Sequence, residues 1–181
     1  MKFSIIINTH NQEQYLERGI NSCLIQKVKS YEIIVVDTSK KKNYKIRKKY
    51  KKNKIIKFLD LKSKFNHPER NQLYKILRGL KISRGKYILL LDGDDYFSST
   101  KLSIINNFLK KNIDFAYNQD RPILFNENNK KEMKTLSQKF YKNFKLFQFL
   151  INKWPQVFAT SSITVKREIL INFFENAKPF K

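Results

Sequence analysis

The sequence predicts an α/β domain in three layers, α/β/α, around a mostly parallel central sheet. Two observations predict it. Apolar runs of strand length alternate with segments of helical spacing through the first half of the chain, the pattern of a doubly wound sheet. Three of those runs stop abruptly in polar clusters, as strands do where they hand over to a loop. A length of 181 residues suits one domain with one sizeable core, so the chain is read as a single domain. Its 41% hydrophobic content, with fifteen Phe and nine Tyr, excludes a disordered polymer.

The elements follow in order. Phe3 to Ile7 is a β-branched apolar run, too short for the core of a signal peptide and read as the first strand. Tyr15, Leu16, Ile20, Cys23 and Leu24 then recur at helical spacing. Glu32 to Asp37 is the second strand; its four consecutive apolar residues predict cover on both faces. The lysine-rich stretch from Lys40 to Lys54 reads as a solvated helix with Tyr44, Ile46 and Tyr50 turned inward, and Ile55 to Leu59 as a third strand. Pro68 suits the first turn of a helix whose apolar stripe is Leu73, Ile76, Leu77 and Leu80. Gly85 is placed at the left-handed position that ends it. Tyr87 to Leu91 is the fourth strand, and Leu102, Ile105, Phe108 and Leu109 mark the next helix. Ile113 to Tyr117 is a strand candidate, 118–131 a loop or hairpin, and Phe140, Phe144, Phe147 and Ile151 a further helix broken at Trp154-Pro155. Ser162 to Val165 and Lys166 to Phe174 close the chain as strand and helix.

Charge and cysteine content narrow the function classes. The formal net charge is +23, but Lys far outnumbers Arg and Asn and Ile are abundant. A coding bias produces that mixture without selection for a polyanion, so no specific nucleic-acid partner is assigned. Surface lysines do suit anionic head groups, which makes peripheral contact with an anionic membrane an expectation. Cys23 is the single cysteine, which excludes a disulfide within the chain and a cysteine-cluster zinc site. No apolar run reaches the roughly 20 residues that span a bilayer. The expected location is cytoplasmic, at the inner face of the membrane.

In open α/β sheets ligands bind beyond the carboxyl ends of the strands. Three polar clusters stand at such ends: Asn8-Thr9-His10-Asn11, Asp37-Thr38-Ser39 and Asp92-Gly93-Asp94-Asp95. Three carboxylates within four residues repel one another unless a cation shares them, and hard oxygen ligands suit Mg²⁺ or Mn²⁺.

The order of these segments resembles family 2 glycosyltransferases, which are nucleotide-diphospho-sugar transferases of the GT-A fold. The residues that carry the resemblance are Asn8 to Asn11 with Glu13, Tyr15 and Leu16; Glu32 to Asp37 with Ser39; and Gly85 to Leu91 with Asp92, Asp94 and Asp95. It covers residues 3 to about 110 and continues more weakly through Ser161 to Leu170. It implies an inverting transfer of sugar from a UDP- or GDP-linked donor to the hydroxyl of a glycan or lipid-linked acceptor, in glycan or cell-surface polysaccharide synthesis. Residues 1–110 would be the nucleotide-sugar-binding part and 111–181 a partial acceptor-side part. Asn8, Thr9, His10 and Asn11 would cradle the nucleotide and Asp37 would accept a hydrogen bond from the base. Arg70 would meet the diphosphate. Asp92 would hold the ribose or the metal shell, Asp94 would bind Mn²⁺ or Mg²⁺ directly, and Asp95 would support it.

The chain also departs from the pattern. Asn8 stands where the family has Pro or Thr, His10 where it has Tyr, and Thr38 where a second Asp is usual. The basic motif before the fourth strand is blurred to Lys75-Ile76-Leu77-Arg78-Gly79. No Glu-Asp pair follows Asp95, so the general base that the resemblance implies is expected beyond Lys181. Two other readings are kept: a nucleotide- or polyanion-binding module without turnover, and a phosphohydrolase with an aspartyl nucleophile.

Overall fold

The computed structural model describes residues 1–111, 117–119, 124–126, 131–133, 139–141 and 160–176. The predicted alternation is realised as β1 (Phe3–Thr9), α1 (Glu13–Leu24), β2 (Tyr31–Asp37), α2 (Tyr44–Tyr50), β3 (Ile56–Asp60), α3 (Pro68–Ile82), β4 (Tyr87–Asp92) and α4 (Lys101–Lys111). Four short strands follow: β5 (Tyr117–Gln119), β6 (Leu124–Asn126), β7 (Lys131–Met133) and β8 (Lys139–Tyr141). The 3₁₀ turn Thr160–Ser162 leads into β9 (Ile163–Lys166) and α5 (Arg167–Asn176).

The main sheet has seven strands in the order β3-β2-β1-β4-β9-β5-β8. The first four are parallel, and β9 is antiparallel to both β4 and β5. Since β8 is antiparallel to β5, five of the seven strands run the same way. The chain builds outward from β1 to β3 and then returns to place β4 on the other side of β1. Strand order therefore reverses between β1 and β4, which is where open sheets form a ligand crevice. β6 and β7 form a separate antiparallel pair; β6 lies in the segment 118–131 read as a loop or hairpin, and β7 begins at its end and runs on to Met133.

The consecutive apolar runs are explained by two cores. Ile5, Ile7, Ile33, Val35, Leu89 and Leu91 meet Leu16, Ile20, Ile46, Tyr50, Leu102 and Ile105 of α1, α2 and α4 on one face. The alternate residues Ile6, Ile34, Val36, Ile88 and Leu90 meet Ile76 and Leu80 of α3 and Leu170 and Phe173 of α5 on the other. Full burial of each such side chain contributes about 1.5–3 kcal/mol, so the two faces together set the layered arrangement. Cys23 packs in the first core as a small apolar group, and burial pushes its thiol up to about 12. Under the sheet's other end, the buried Glu32 carboxylate accepts from Ser4 Oγ, the Arg84 amide and Lys57 Nζ. Burial pushes this carboxyl up, but those hydrogen bonds outweigh it and hold it below its ordinary value.

Three expectations are corrected. Tyr44 is 74% exposed. It lies two residues from the inward-facing Ile46, and that step turns a helix by about 200°, so the two cannot share a face. Gly85 is not in the left-handed region; α3 ends at Ser83 in extended backbone, with Ser83 Oγ donating to the Leu80 carbonyl at 2.7 Å. Glycine is needed at 85 for close approach instead, because a Cβ there would lie 2.4 Å from the Ser4 nitrogen and 2.5 Å from the Phe3 carbonyl carbon. Phe140, read as helical, lies in strand β8. Phe144, Phe147, Ile151, Trp154 and Pro155 lie outside the described residues.

Candidate functional site

Register brings the predicted clusters level. Asn8 pairs with Val36 on one side and Asp92 on the other, and Thr9 pairs with Asp37. The loop after β1 is stitched to the loop after β2. The Thr38 amide donates to the Thr9 carbonyl at 3.2 Å, the Asn11 amide to Ser39 Oγ at 2.7 Å, and the Lys40 amide to Asn11 Oδ1 at 3.2 Å. Asn11 reaches these partners from a left-handed conformation, φ 54°, which Asn tolerates better than most residues. His10 Nδ1 lies 3.0 Å from the Thr38 carbonyl oxygen, which can only accept. That contact assigns the proton to Nδ1 and leaves Nε2 to accept from Asn11 Nδ2 at 3.3 Å. The ring is thereby fixed at the exposed lip of the site.

Asp37 is more deeply placed than its predicted role requires, at 1% exposure. Its Oδ1 accepts from the Ser39 amide at 2.8 Å and its Oδ2 from Asn43 Nδ2 at 3.1 Å. The carboxylate shapes the second loop as an Asx turn does. Among the described residues, one lone pair on each oxygen is unused.

The acidic loop leaves β4 in a tight turn. The Gly93 amide donates to the Asn8 carbonyl at 2.8 Å and the Asp95 amide to the Asp92 carbonyl at 3.1 Å. A Cβ on Gly93 would lie 2.9 Å from Thr9 Cβ, so glycine allows the two tips to touch. Asp92 Oδ1 accepts from Gln72 Nε2 at 2.8 Å. Burial, then the neighbouring charges of Asp95 and Asp94, push the Asp92 carboxyl up to about 6 against the pull of Gln72 and Lys75. Asp95 Oδ2 accepts from Ser161 Oγ at 2.5 Å. Asp94 is exposed, and its carbonyl accepts from Arg18 Nη2 at 3.0 Å. Among the described residues no group of three or more His, Cys, Asp or Glu gathers closely enough to hold an ion by itself. The donor set nevertheless fits a Mg²⁺- or Mn²⁺-type ion that keeps waters and takes other ligands from a diphosphate. Burial is the main reason that the Asp92 carboxyl is raised, and the charges of Asp95 and Asp94 add to it; a cation beside the loop would favour the ionised form.

Arg70 is not brought into this arrangement. It is exposed in the first turn of α3, with its guanidinium 4.7 Å from the centroid of the Phe65 ring. Gln72, which does reach Asp92, is two residues along and so faces nearly the opposite way. Sequence reasoning named Lys75 only as part of the blurred basic motif and gave it no role; it stands three residues after Gln72 on the same side of α3. It is 7% exposed, and its Nζ donates to the Thr9 carbonyl at 3.4 Å. Burial lowers the ammonium below its ordinary value, while Asp92, Asp37 and Asp94 oppose that and favour the charged form. A lysine interrupting an apolar helical stripe was the available signal. Asn8, the residue before Thr9 in β1, is 2% exposed, and neither Oδ1 nor Nδ2 of its side chain has a hydrogen-bond partner among the described residues.

Known proteins are similar to this chain in sequence and in fold. A protein of Rickettsia conorii, described as an uncharacterized glycosyltransferase, is 29% identical over 181 residues, covering 98% of this chain and 27% of its own length. The poly(ribitol-phosphate) β-N-acetylglucosaminyltransferase TarP of Staphylococcus aureus is 34% identical over 118 residues, covering 61% of this chain and 34% of its own. The crystal structure of S. aureus TarS residues 1–349 in complex with UDP-GlcNAc superposes with a TM-score of 0.65 at 21% identity, over 95% of this chain and 47% of that one. That likeness shows the GT-A fold. The chain thus spans from about a quarter to just under half the length of these proteins. The model of the family "Glycosyl transferase family 2" matches residues 4–174, nearly the whole chain, and the chain belongs to that family.

Proposed function

We propose that this chain forms the donor-binding part of an inverting glycosyltransferase that moves a sugar from a nucleoside-diphosphate sugar to an acceptor hydroxyl, in the synthesis of a glycan or cell-surface polysaccharide. The observation that carries the reading is the convergence, at the strand-order reversal, of the stitched loops after β1 and β2 with the loop that carries the carboxylates of Asp92, Asp94 and Asp95. The family membership supports it, and sets aside the aspartyl phosphohydrolase. A UDP-linked donor is the preferred class, because TarS was solved with UDP-GlcNAc.

Each residue then has a task. His10, held flat by Thr38, offers a face to the base at the outer lip. Asp37 shapes the loop beneath it and keeps a lone pair for a base N–H. Lys75, rather than Arg70, supplies the positive charge within the crevice, where low polarity strengthens its attraction for the donor's phosphates. Asp94 and Asp92 would hold Mn²⁺ or Mg²⁺, which would neutralise the charge that builds on the departing nucleoside diphosphate. The chain's own contribution is to position the donor, with the face of the sugar opposite the diphosphate left for the acceptor. Its surface lysines favour a cytoplasmic site of action beside an anionic membrane. No helix among the described residues is long and apolar enough to cross one.

The test is a thermal-shift panel of UDP, GDP and their sugars with and without Mn²⁺, on wild type and Asp94→Ala. A Mn²⁺-dependent shift with one nucleoside diphosphate that Asp94→Ala abolishes is expected. Equal shifts in both proteins would remove Asp94 from the metal site. Salt-sensitive binding of unrelated polyanions, with no nucleotide effect, would favour a binding module.

A further inference from the structure

The acidic loop is held from outside its own strand. Ser161 belongs to the turn before β9, far along the chain from Asp92, yet its hydroxyl makes two bonds to the loop. It accepts from the Asp92 amide at 2.9 Å and lies 2.5 Å from Asp95 Oδ2. A hydroxyl has a single hydrogen. With the amide N–H occupying one of its lone pairs, that hydrogen is directed at the Asp95 carboxylate, a short charge-assisted bond. The turn is braced on both sides. Lys101 Nζ donates to the Ser161 carbonyl at 2.8 Å, and Gln72 Nε2 bridges Thr160 Oγ1 at 3.1 Å and Asp92 Oδ1 at 2.8 Å.

We propose that Ser161 is a positioning residue for the divalent-ion site: it holds Asp95 aside and anchors the backbone of Asp92, so that Asp92 and Asp94 are the carboxylates left to meet the ion. The proposal rests on the reading that Asp94 and Asp92 bind the ion. Without the hydroxyl, the Asp92 amide loses its acceptor and the Asp95 carboxylate is released beside two others that repel it. Loss of an outer partner of metal ligands typically weakens metal affinity by roughly 10- to 100-fold.

The test measures Mn²⁺ affinity from the electron paramagnetic resonance signal of free Mn²⁺, with saturating UDP or GDP, whichever gives the larger thermal shift. The proteins are wild type, Ser161→Ala, and the shape-matched pair Ser161→Thr and Ser161→Val. Ser161→Ala and Ser161→Val are expected to lose roughly tenfold or more in Mn²⁺ affinity. Ser161→Thr should stay within about threefold of wild type, and nucleotide binding in EDTA should be equal in all four. If Ser161→Ala fails to fold, the Thr and Val pair still isolates the hydroxyl. Mn²⁺ binding by wild type that Ser161→Val retains within about threefold overturns the role of Ser161 alone. Absence of Mn²⁺ binding by wild type overturns the metal reading, and this proposal with it.

Discussion

Replacing Asp92 by Asn should stabilise the metal-free protein while destroying its response to metal. The carboxyl of Asp92 rises from 3.8 to about 6 on folding because it is buried beside Asp95 and Asp94. A carboxyl raised in the folded state binds its proton more tightly there than in the unfolded chain. The stability tied to that proton is fully present below the unfolded value near 3.8 and is lost as pH rises through about 6. A gap of about two pH units at about 1.4 kcal/mol each sets a ceiling near 3 kcal/mol at pH 7.5. Asparagine has nearly the same shape, can still accept from Gln72 and carries no charge to desolvate. Part of the gain is given back, because Asp92 is one of the carboxylates that keep the buried Lys75 charged. The net expectation is about 1–3 kcal/mol, or roughly 3–10 °C in Tm for a chain of this size. Thermal melts followed by circular dichroism in EDTA, from pH 7.5 to pH 4, would show the gain at the upper end and its disappearance near pH 4. The same variant should lose the Mn²⁺-dependent shift with nucleoside diphosphate. An unchanged Tm at pH 7.5, or a gain that does not shrink with acid, would refute the argument that burial and like charge raise this carboxyl.

Lys75→Met should weaken nucleoside-diphosphate binding by roughly tenfold or more, the worth of one charge-assisted hydrogen bond, while Arg70→Ala stays within about twofold. Titration calorimetry checks this, and the reverse order of effects would return the phosphate contact to Arg70. Gly85→Ala should cost at least about 2 kcal/mol in urea unfolding, because the added methyl meets backbone of β1 that cannot move aside. A cost under about 0.5 kcal/mol would show that the α3–β4 connection can shift away from β1.

Much of the fold was legible because it depends on local pattern. Ile33 to Val36 announced a strand covered on both faces, and the helical spacing of Leu102, Ile105 and Leu109 announced α4. The polar tips at Asn8, Asp37 and Asp92 were legible as a rim because parallel strands end on the same side. Errors came where one residue's direction mattered: Tyr44 was put on the wrong side of a short helix, and Gly85 was given the right residue type for the wrong reason. Arg70 was chosen by position in a motif, whereas α3's rotation aims Gln72 and Lys75 at the crevice. Ser161 was legible only as the start of the weaker second stretch of the resemblance; its contact with the acidic loop was not, since its partners Asp92 and Asp95 lie in a different loop of the chain.

The amino-acid sequence by itself determined the layered α/β architecture, the family and the acidic loop, because burial periodicity and short motifs are written along the chain. The tertiary structure alone decided which side chains meet: Gln72 on Asp92, Lys75 on the Thr9 carbonyl, Arg70 over the Phe65 ring, Asp37 tied into its own loop, Ser161 latched to Asp95. The physical reason is that electrostatics and hydrogen bonding act across a few ångströms of space. Helix rotation and strand order, rather than sequence separation, decide which groups come within that range.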